Sequence, residues 1–262
     1  MRTEKSYLGN TGVYAAIYRE SLMMIFDNYV CVDLETTGLV PEKNEIIEIG
    51  MVKYSDGRIL DRYQMLVKPN RKVPPFIFKL TSINPKDLEK AVPFDAIAEE
   101  VREFIGNALF VAHNLPFDFG TLNTSFERMG LSPLQNCCLD TRDLALILLS
   151  DQQSHKLQEL AHYFKIPFAQ EHRALSDAEC VGEIIAKMRP LLKTVHPLVI
   201  RLACRCLPDI PYLGLKTLFS ETELELSLTK GVDFKAYLST ADESTYRFDR
   251  GCIPDATEAR LE

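Results

Sequence analysis

No feature constrains this chain more than the stretch Val30-Cys31-Val32-Asp33-Leu34-Glu35-Thr36-Thr37-Gly38. Its first residues are apolar and β-prone, and two carboxylates then follow two residues apart. Alternate residues of a strand point to one face. Asp33 and Glu35 therefore sit side by side, on the face opposite Leu34. Like charges that close repel, and each resists losing water. Folding gains nothing from such a pair at the end of an apolar strand. A hard divalent cation would favour it, because carboxylate oxygens suit Mg²⁺ or Mn²⁺. Gly38 lets the chain turn away sharply. Taken alone, Asp-x-Glu at a strand end reads as a solvated rim, so the case depends on further acids from elsewhere.

The surrounding pattern predicts a mixed α/β fold. Tyr29 to Glu35, Ile46 to Tyr54 and Ile59 to Val67 read as three strands of an antiparallel meander, with a turn at Ser55-Asp56-Gly57. Pro69, Pro74 and Pro75 are expected to break regular structure, and Thr81 to Ala91 to form a loop or short helix. Apolar residues at 97, 98, 101, 104 and 105 predict a helix over Asp95–Ile105, ended by Gly106-Asn107. Ala108 to Ala112 reads as a strand, followed by a helix from about Pro116 to Arg128. Cys137 to Leu139 is another strand, with Asp140 or Thr141 capping a helix through Leu149. Helices over Lys156–Phe164 and Ala174–Met188 follow, the second stopped by Pro190. A meander followed by strands alternating with helices implies a mixed sheet flanked by helices.

With 262 residues, the chain fits one sizeable domain plus something smaller. Residues 1–27 are expected to form a helical extension, 28–189 the main domain, and 190–262 a small appended region of unknown role. Within the last, His196 to Leu207 reads as a helix. Six basic residues and one acid lie between Lys187 and Lys216, which reads as a solvated helical face or a track for a nucleic-acid backbone. The net charge of −7 argues against a whole-surface polyanion binder. Seven cysteines without regular spacing and no C-x-x-C argue against a disulfide framework and structural zinc, so reduced thiols in a cytoplasm are expected. Met1 to Lys5 leads into no apolar core of signal-peptide length. The longest apolar run, Leu144 to Leu149, is too short to span a bilayer, so no membrane association is expected.

Two further stretches matter. In His113-Asn114-Leu115-Pro116-Phe117-Asp118, the acid falls in the first turn of a helix that follows a strand. Alone, it reads as a charge favoured by the helix dipole. In His172-Arg173-Ala174-Leu175-Ser176-Asp177, residues five apart cannot share one helical face. His172 and Asp177 converge only if His172 sits in the loop that leads into the helix. Ser176 and Glu179 could instead form a capping box, which would move the helix start.

Asp33-x-Glu35-Thr36-Thr37-Gly38, His113-Asn114-x-x-Phe117-Asp118 and His172-x-Ala174-x-x-Asp177, in this order and spacing, resemble the three motifs of the DEDDh (DnaQ-like) 3′→5′ exonucleases. The likeness extends to the proofreading epsilon subunit of bacterial DNA polymerase III and runs from about Asn28 to Met188. One departure is Thr81-Ser82-Ile83, where many relatives carry Thr-Gly-Ile or His-Gly-Ile.

The resemblance implies a ribonuclease H-like fold. It also implies that Asp33, Glu35, Asp118 and Asp177 hold two Mg²⁺ or Mn²⁺ ions, with His172 as general base. Thr36 and Thr37 are then expected against the terminal nucleotide, Asn114 against a phosphate or bonded within its loop, and Phe117 in the core or stacked on a base, with His113 in a supporting place and Arg173 exposed or against a phosphate. The implied reaction releases nucleoside 5′-monophosphates from a single-stranded 3′ end, with DNA expected over RNA, in proofreading or repair, and a DNA polymerase subunit as a candidate partner. The alternatives are an exoribonuclease that trims RNA 3′ ends and a catalytically silent nucleic-acid-binding module on the same fold.

Overall fold

The computed structural model describes residues 25–167 and 172–192. Apart from a 3₁₀ turn at Ile25–Asp27, the expected N-terminal helix lies outside the described residues, as does everything expected beyond Leu192.

The meander is formed by β1 (Asn28–Thr36), β2 (Ile46–Ser55) and β3 (Arg58–Leu66). β1 and β2 are antiparallel, with Asp33 opposite Gly50 and Glu35 opposite Glu48. β2 turns into β3 through Asp56 and Gly57, at φ 51° and 73°. That positive-φ pair is what an Asp-Gly hairpin supplies.

The proline-rich stretch is more ordered than expected, because α1 (Pro75–Thr81) begins in it. Pro75 takes the first helical position, where a missing N–H goes unused and the ring sets a helical φ. Ile77 then buries against Ile47, Val73, Ile83 and Leu88. α2 (Pro85–Glu89) starts at Asn84, whose side chain accepts the Lys86 N–H. The stripe expected from Asp95 is split: Phe94–Ala96 is a 3₁₀ turn, and α3 (Ala98–Ile105) starts only after Ile97 leaves helical geometry at ψ −2°.

β4 (Leu109–Ala112) is wholly buried and leads into α4 (Leu115–Arg128). β5 (Cys138–Asp140) leads into α5 (Thr141–Leu148), with the Asp140 side chain accepting the Arg142 N–H at 2.8 Å. α6 (Leu157–Phe164) and α7 (Ala174–Leu192) follow. α7 runs through Pro190 rather than stopping at Met188. A proline in the last turn deletes a single backbone hydrogen bond, while Met188 and Leu192 remain buried.

The sheet order is β3-β2-β1-β4-β5, with β4 parallel to β1 and β5 parallel to β4. This is the expected mixed sheet, and each face has its own core. Val30, Val32, Leu34, Ile49 and Met51 pack on Val101 and Ile105 of α3 and on Leu122 and Phe126 of α4. Tyr29, Cys31, Val52 and Tyr54 pack on the other side against α5, α6 and α7. Asp33 and Glu35 continue this second face. Gly50 and Tyr54 of β2 meet Ala174 and Gly182 of α7 in turn, so the helix lies along the strand. Among the described residues, no helix is long and apolar enough to cross a membrane.

Candidate active site

Two parallel strands, β1 and β4, end at the same edge of the sheet. Crevices beyond such strand ends are where open α/β sheets place their ligands. Here β1 brings Asp33 and Glu35, both half-buried.

Asp118 arrives from the opposite layer. The β4–α4 corner passes through Asn114 in the left-handed region at φ 71°. Asp140 fixes that corner, accepting the N–H groups of Asn114 at 3.1 Å and Leu115 at 2.8 Å. His113 steadies it further through Nδ1 to the Thr141 hydroxyl at 2.9 Å. Burial, with the Arg142 charge second, pushes the His113 imidazole down to about 4, so it is neutral in this place. Asp118, only 3% exposed, reaches round the strand end and accepts the Leu34 N–H through Oδ1 at 3.0 Å. One backbone bond thus ties the second motif to the first.

The third motif comes down on the other face. His172 is not helical: its φ of 59° places it in a left-handed turn before Ala174, which is how His172 and Asp177 converge. The helix therefore starts ahead of Ser176, and Glu179 pairs with Arg62 at 2.6 Å instead of closing a capping box. The His172 N–H points to Asp177 Oδ2 at 3.2 Å, and the Asp177 N–H to the Arg173 carbonyl at 3.0 Å. Ligand atoms of Glu35, His172 and Asp177 all lie within 4.8 Å of one another.

The electrostatics record how crowded this is. Burial raises the Asp33 carboxyl well above its usual range, and Asp118, Asp177, Glu35 and Glu48 push it further. Glu35 is pushed up to about 8 by burial, then by Asp177 and Glu48, with Arg173 opposing. Asp118 is raised by burial, against the pull of the Leu34 N–H. Carboxyls that resist ionising together are what a divalent cation relieves, and an all-carboxylate donor set suits a hard ion. Glu35 and Asp177, whose oxygens meet beside His172, fit such a cofactor, with Asp33 and Asp118 close enough to press on the same charges.

The remaining expected site residues are less directly placed. Thr36 and Thr37 are buried. Their hydroxyls are engaged in the following loop, with Thr36 donating to the Gly38 carbonyl and Thr37 accepting the Glu45 N–H at 3.0 Å. Asn114 is exposed at its corner and Phe117 is half-buried.

Arg173 departs from expectation. It is not a free surface arginine but pairs with Glu48 at 2.8 Å. Glu48 itself passed unnoticed in the sequence, and it is 0% exposed. The available signal was an acid between isoleucines, in Ile46-Ile47-Glu48-Ile49, which cannot be buried without a cation from elsewhere.

A sequence model of the RNase T exonuclease family matches residues 30–185. The DNA polymerase III PolC-type of Halalkalibacterium halodurans is 35% identical over 181 residues, covering 69% of this chain and 13% of that one. The Staphylococcus haemolyticus PolC-type polymerase is 36% identical over 165 residues, 63% of this chain and 12% of that one. The chain thus spans about one eighth of these relatives' length. Among solved structures, the nuclease domain of 3′hExo, a DEDDh family member bound to rAMP, superposes with a TM-score of 0.56 at 20% identity, covering 62% of this chain and 91% of that one. The E. coli ExoI–ssDNA complex in its zinc-bound form gives 0.57 at 18% identity, covering 67% and 42%.

Proposed function

This chain belongs to the RNase T exonuclease family, and from that premise we propose that it removes nucleotides one at a time from the 3′ end of single-stranded DNA, in proofreading or repair. The observation that carries the reading is the meeting of Glu35, His172 and Asp177 from two distant motifs, with Asp118 bonded to the strand that bears Asp33 and Glu35. The DNA preference draws on relatives named as DNA polymerases.

In this proposal Asp33, Glu35, Asp118 and Asp177 hold two divalent ions, Mg²⁺ or Mn²⁺. When bound, such a pair polarises the phosphate and offsets charge on the attacking and leaving oxygens. The chain's residues do the rest. His172, turned toward the acids by its left-handed backbone, takes the proton from the attacking water. Thr36 and Thr37 shape the loop beside the terminal nucleotide, and Asn114 and Phe117 touch it from the β4–α4 corner. The scissile phosphate leaves with the nucleoside as a 5′-monophosphate.

The test is end-labelled DNA and RNA oligonucleotides of matched sequence, incubated with Mg²⁺ or with EDTA. Stepwise shortening of single-stranded DNA from the 3′ end, abolished by EDTA, is expected. RNA degraded as fast as DNA would remove the DNA preference, and no shortening of either would remove the activity. His172→Ala is expected to lose about a hundredfold in turnover while binding Mn²⁺ in calorimetry within a few-fold of the unaltered chain. A full-rate variant would take the proton-transfer role away from His172.

The pKa shifts predict an unusual pH profile for the ion-free chain. Glu35 binds its proton more tightly when folded, so its ionisation costs stability as pH rises from 4.5 toward about 8. Asp33 and Asp118 are shifted in the same direction. Melting in EDTA is expected to fall by several degrees between pH 5.5 and pH 8. Millimolar Mg²⁺ should cancel most of that fall at pH 8 and change little at pH 5.5. Melting that stays flat or rises with pH in EDTA would contradict the crowding of these acids.

A further inference from the structure

Glu48 lies directly across from Glu35 in the β1–β2 register, on the face that meets α7. A fully buried carboxylate that presses on Glu35 and Asp33 needs every lone pair satisfied, and Glu48 has that. Arg173 reaches it through Nη2 to Oε1 at 2.8 Å and through Nε at 3.2 and 3.3 Å. Gln64 donates to Oε1 at 2.8 Å, and the Ala174 N–H to Oε2 at 3.3 Å. A buried ion pair of this kind is a poor source of stability, since apolar residues of similar volume often do as well or better. Its consequence is positional. It ties residues 173 and 174 to β2 immediately after His172, whose own N–H is held by Asp177.

The pair also solves a second problem. An unanchored guanidinium this close to the acids would pair with Glu35, in bidentate fashion, and compete with any cation there. Glu48 takes that fork instead.

We propose that Glu48, acting through Arg173, is a positioning residue for the reaction: it locks the turn that presents His172 and keeps the guanidinium off Glu35, leaving that carboxylate to a divalent ion. The inference rests on the exonuclease reading above.

The test compares Glu48→Gln with the double variant Glu48→Gln/Arg173→Gln in the full chain, read by Mn²⁺ calorimetry and by single-stranded DNA turnover. Glu48→Gln is expected to lose about 10–100-fold in both Mn²⁺ affinity and kcat, with KM for the oligonucleotide within about threefold, since neither residue is placed against the nucleotide. The double variant carries no loose guanidinium, so Mn²⁺ affinity is expected to return to within about threefold of the unaltered chain. Its kcat is expected to stay at least about tenfold low, because the turn is no longer tied. That split between affinity and rate is one that a merely structural role would not produce.

Unchanged Mn²⁺ affinity and kcat in Glu48→Gln would overturn the proposal, as would a double variant with full kcat. If Glu48→Gln fails to fold, the double variant, which leaves no charge unpaired, decides alone: full kcat there overturns the proposal and low kcat with restored affinity supports it. Absent turnover by the unaltered chain would strike the exonuclease reading instead. Mn²⁺ affinity would then decide this one, with the drop in Glu48→Gln and its recovery in the double variant supporting it and their absence overturning it.

Discussion

Replacing Asp33 with Asn is expected to cut turnover by roughly a thousandfold or more, about 4 kcal/mol of barrier, and at the same time to raise the melting temperature of the ion-free chain. The two effects have one cause. Asp33 sits mid-face on the central strand, with Asp118, Asp177, Glu35 and Glu48 all pressing its charge. Without cations, that charge is a cost to folding, and the isosteric amide removes it while keeping the strand's shape. A gain of about 1 kcal/mol would move melting by about 2–4 °C in a domain of this size. With cations, the same charge is what holds them, and an amide oxygen is a weaker donor. Both readings come from one preparation: DNA turnover with Mg²⁺, and thermal melting in EDTA. Turnover lost together with melting would reduce Asp33 to a structural residue. Turnover kept would remove it from the chemistry.

That stability and activity oppose each other at one residue explains why the site was legible in the sequence. Paired acids at the end of an apolar strand break the rule that buried residues are apolar, and rule-breaking positions mark functional places. The central strands were legible for the complementary reason: Tyr29 to Glu35 and Ile46 to Tyr54 are apolar runs with turn residues between them. What escaped notice was decided by distant contacts. α1 hid behind Pro74-Pro75 because, although Pro75 suits a first helical position, the burial of Ile77 on the distant Ile47 is not visible locally. Ser82 ends α1 at φ 56°, a left-handed position that favours glycine. Serine thus accepts there a strain of about 1 kcal/mol that local propensity does not announce. Arg173 read as surface because its partner lies 125 residues away. The extension of α7 past Pro190 is likewise set by the burial of Leu192 rather than by the proline.

Gly50→Ala is expected to be the most damaging change that touches no acid. Gly50 pairs with Asp33 across β1–β2 and faces the start of α7. A Cβ there would lie 2.1 Å from the Ala174 carbonyl carbon and 2.2 Å from the Leu175 nitrogen. Both are backbone atoms, so no rotamer change relieves the clash. The first turn of α7 must lift off the sheet, and Asp177, His172 and Arg173 move with it. Overpacking of this kind costs about 1–3 kcal/mol or more, and displacing an acid and the proton acceptor together should lower turnover by roughly a thousandfold. Gly182→Ala separates the two consequences. Its Cβ would meet the Tyr54 hydroxyl at 2.0 Å, farther along the same helix, where the obstacle is a side chain. That variant should lose comparable stability yet keep kcat/KM within about tenfold when assayed well below its melting temperature. If Gly50→Ala stays equally active under those conditions, the close approach of α7 to β2 is only a packing detail, and the convergence of the third motif on the first does not depend on it.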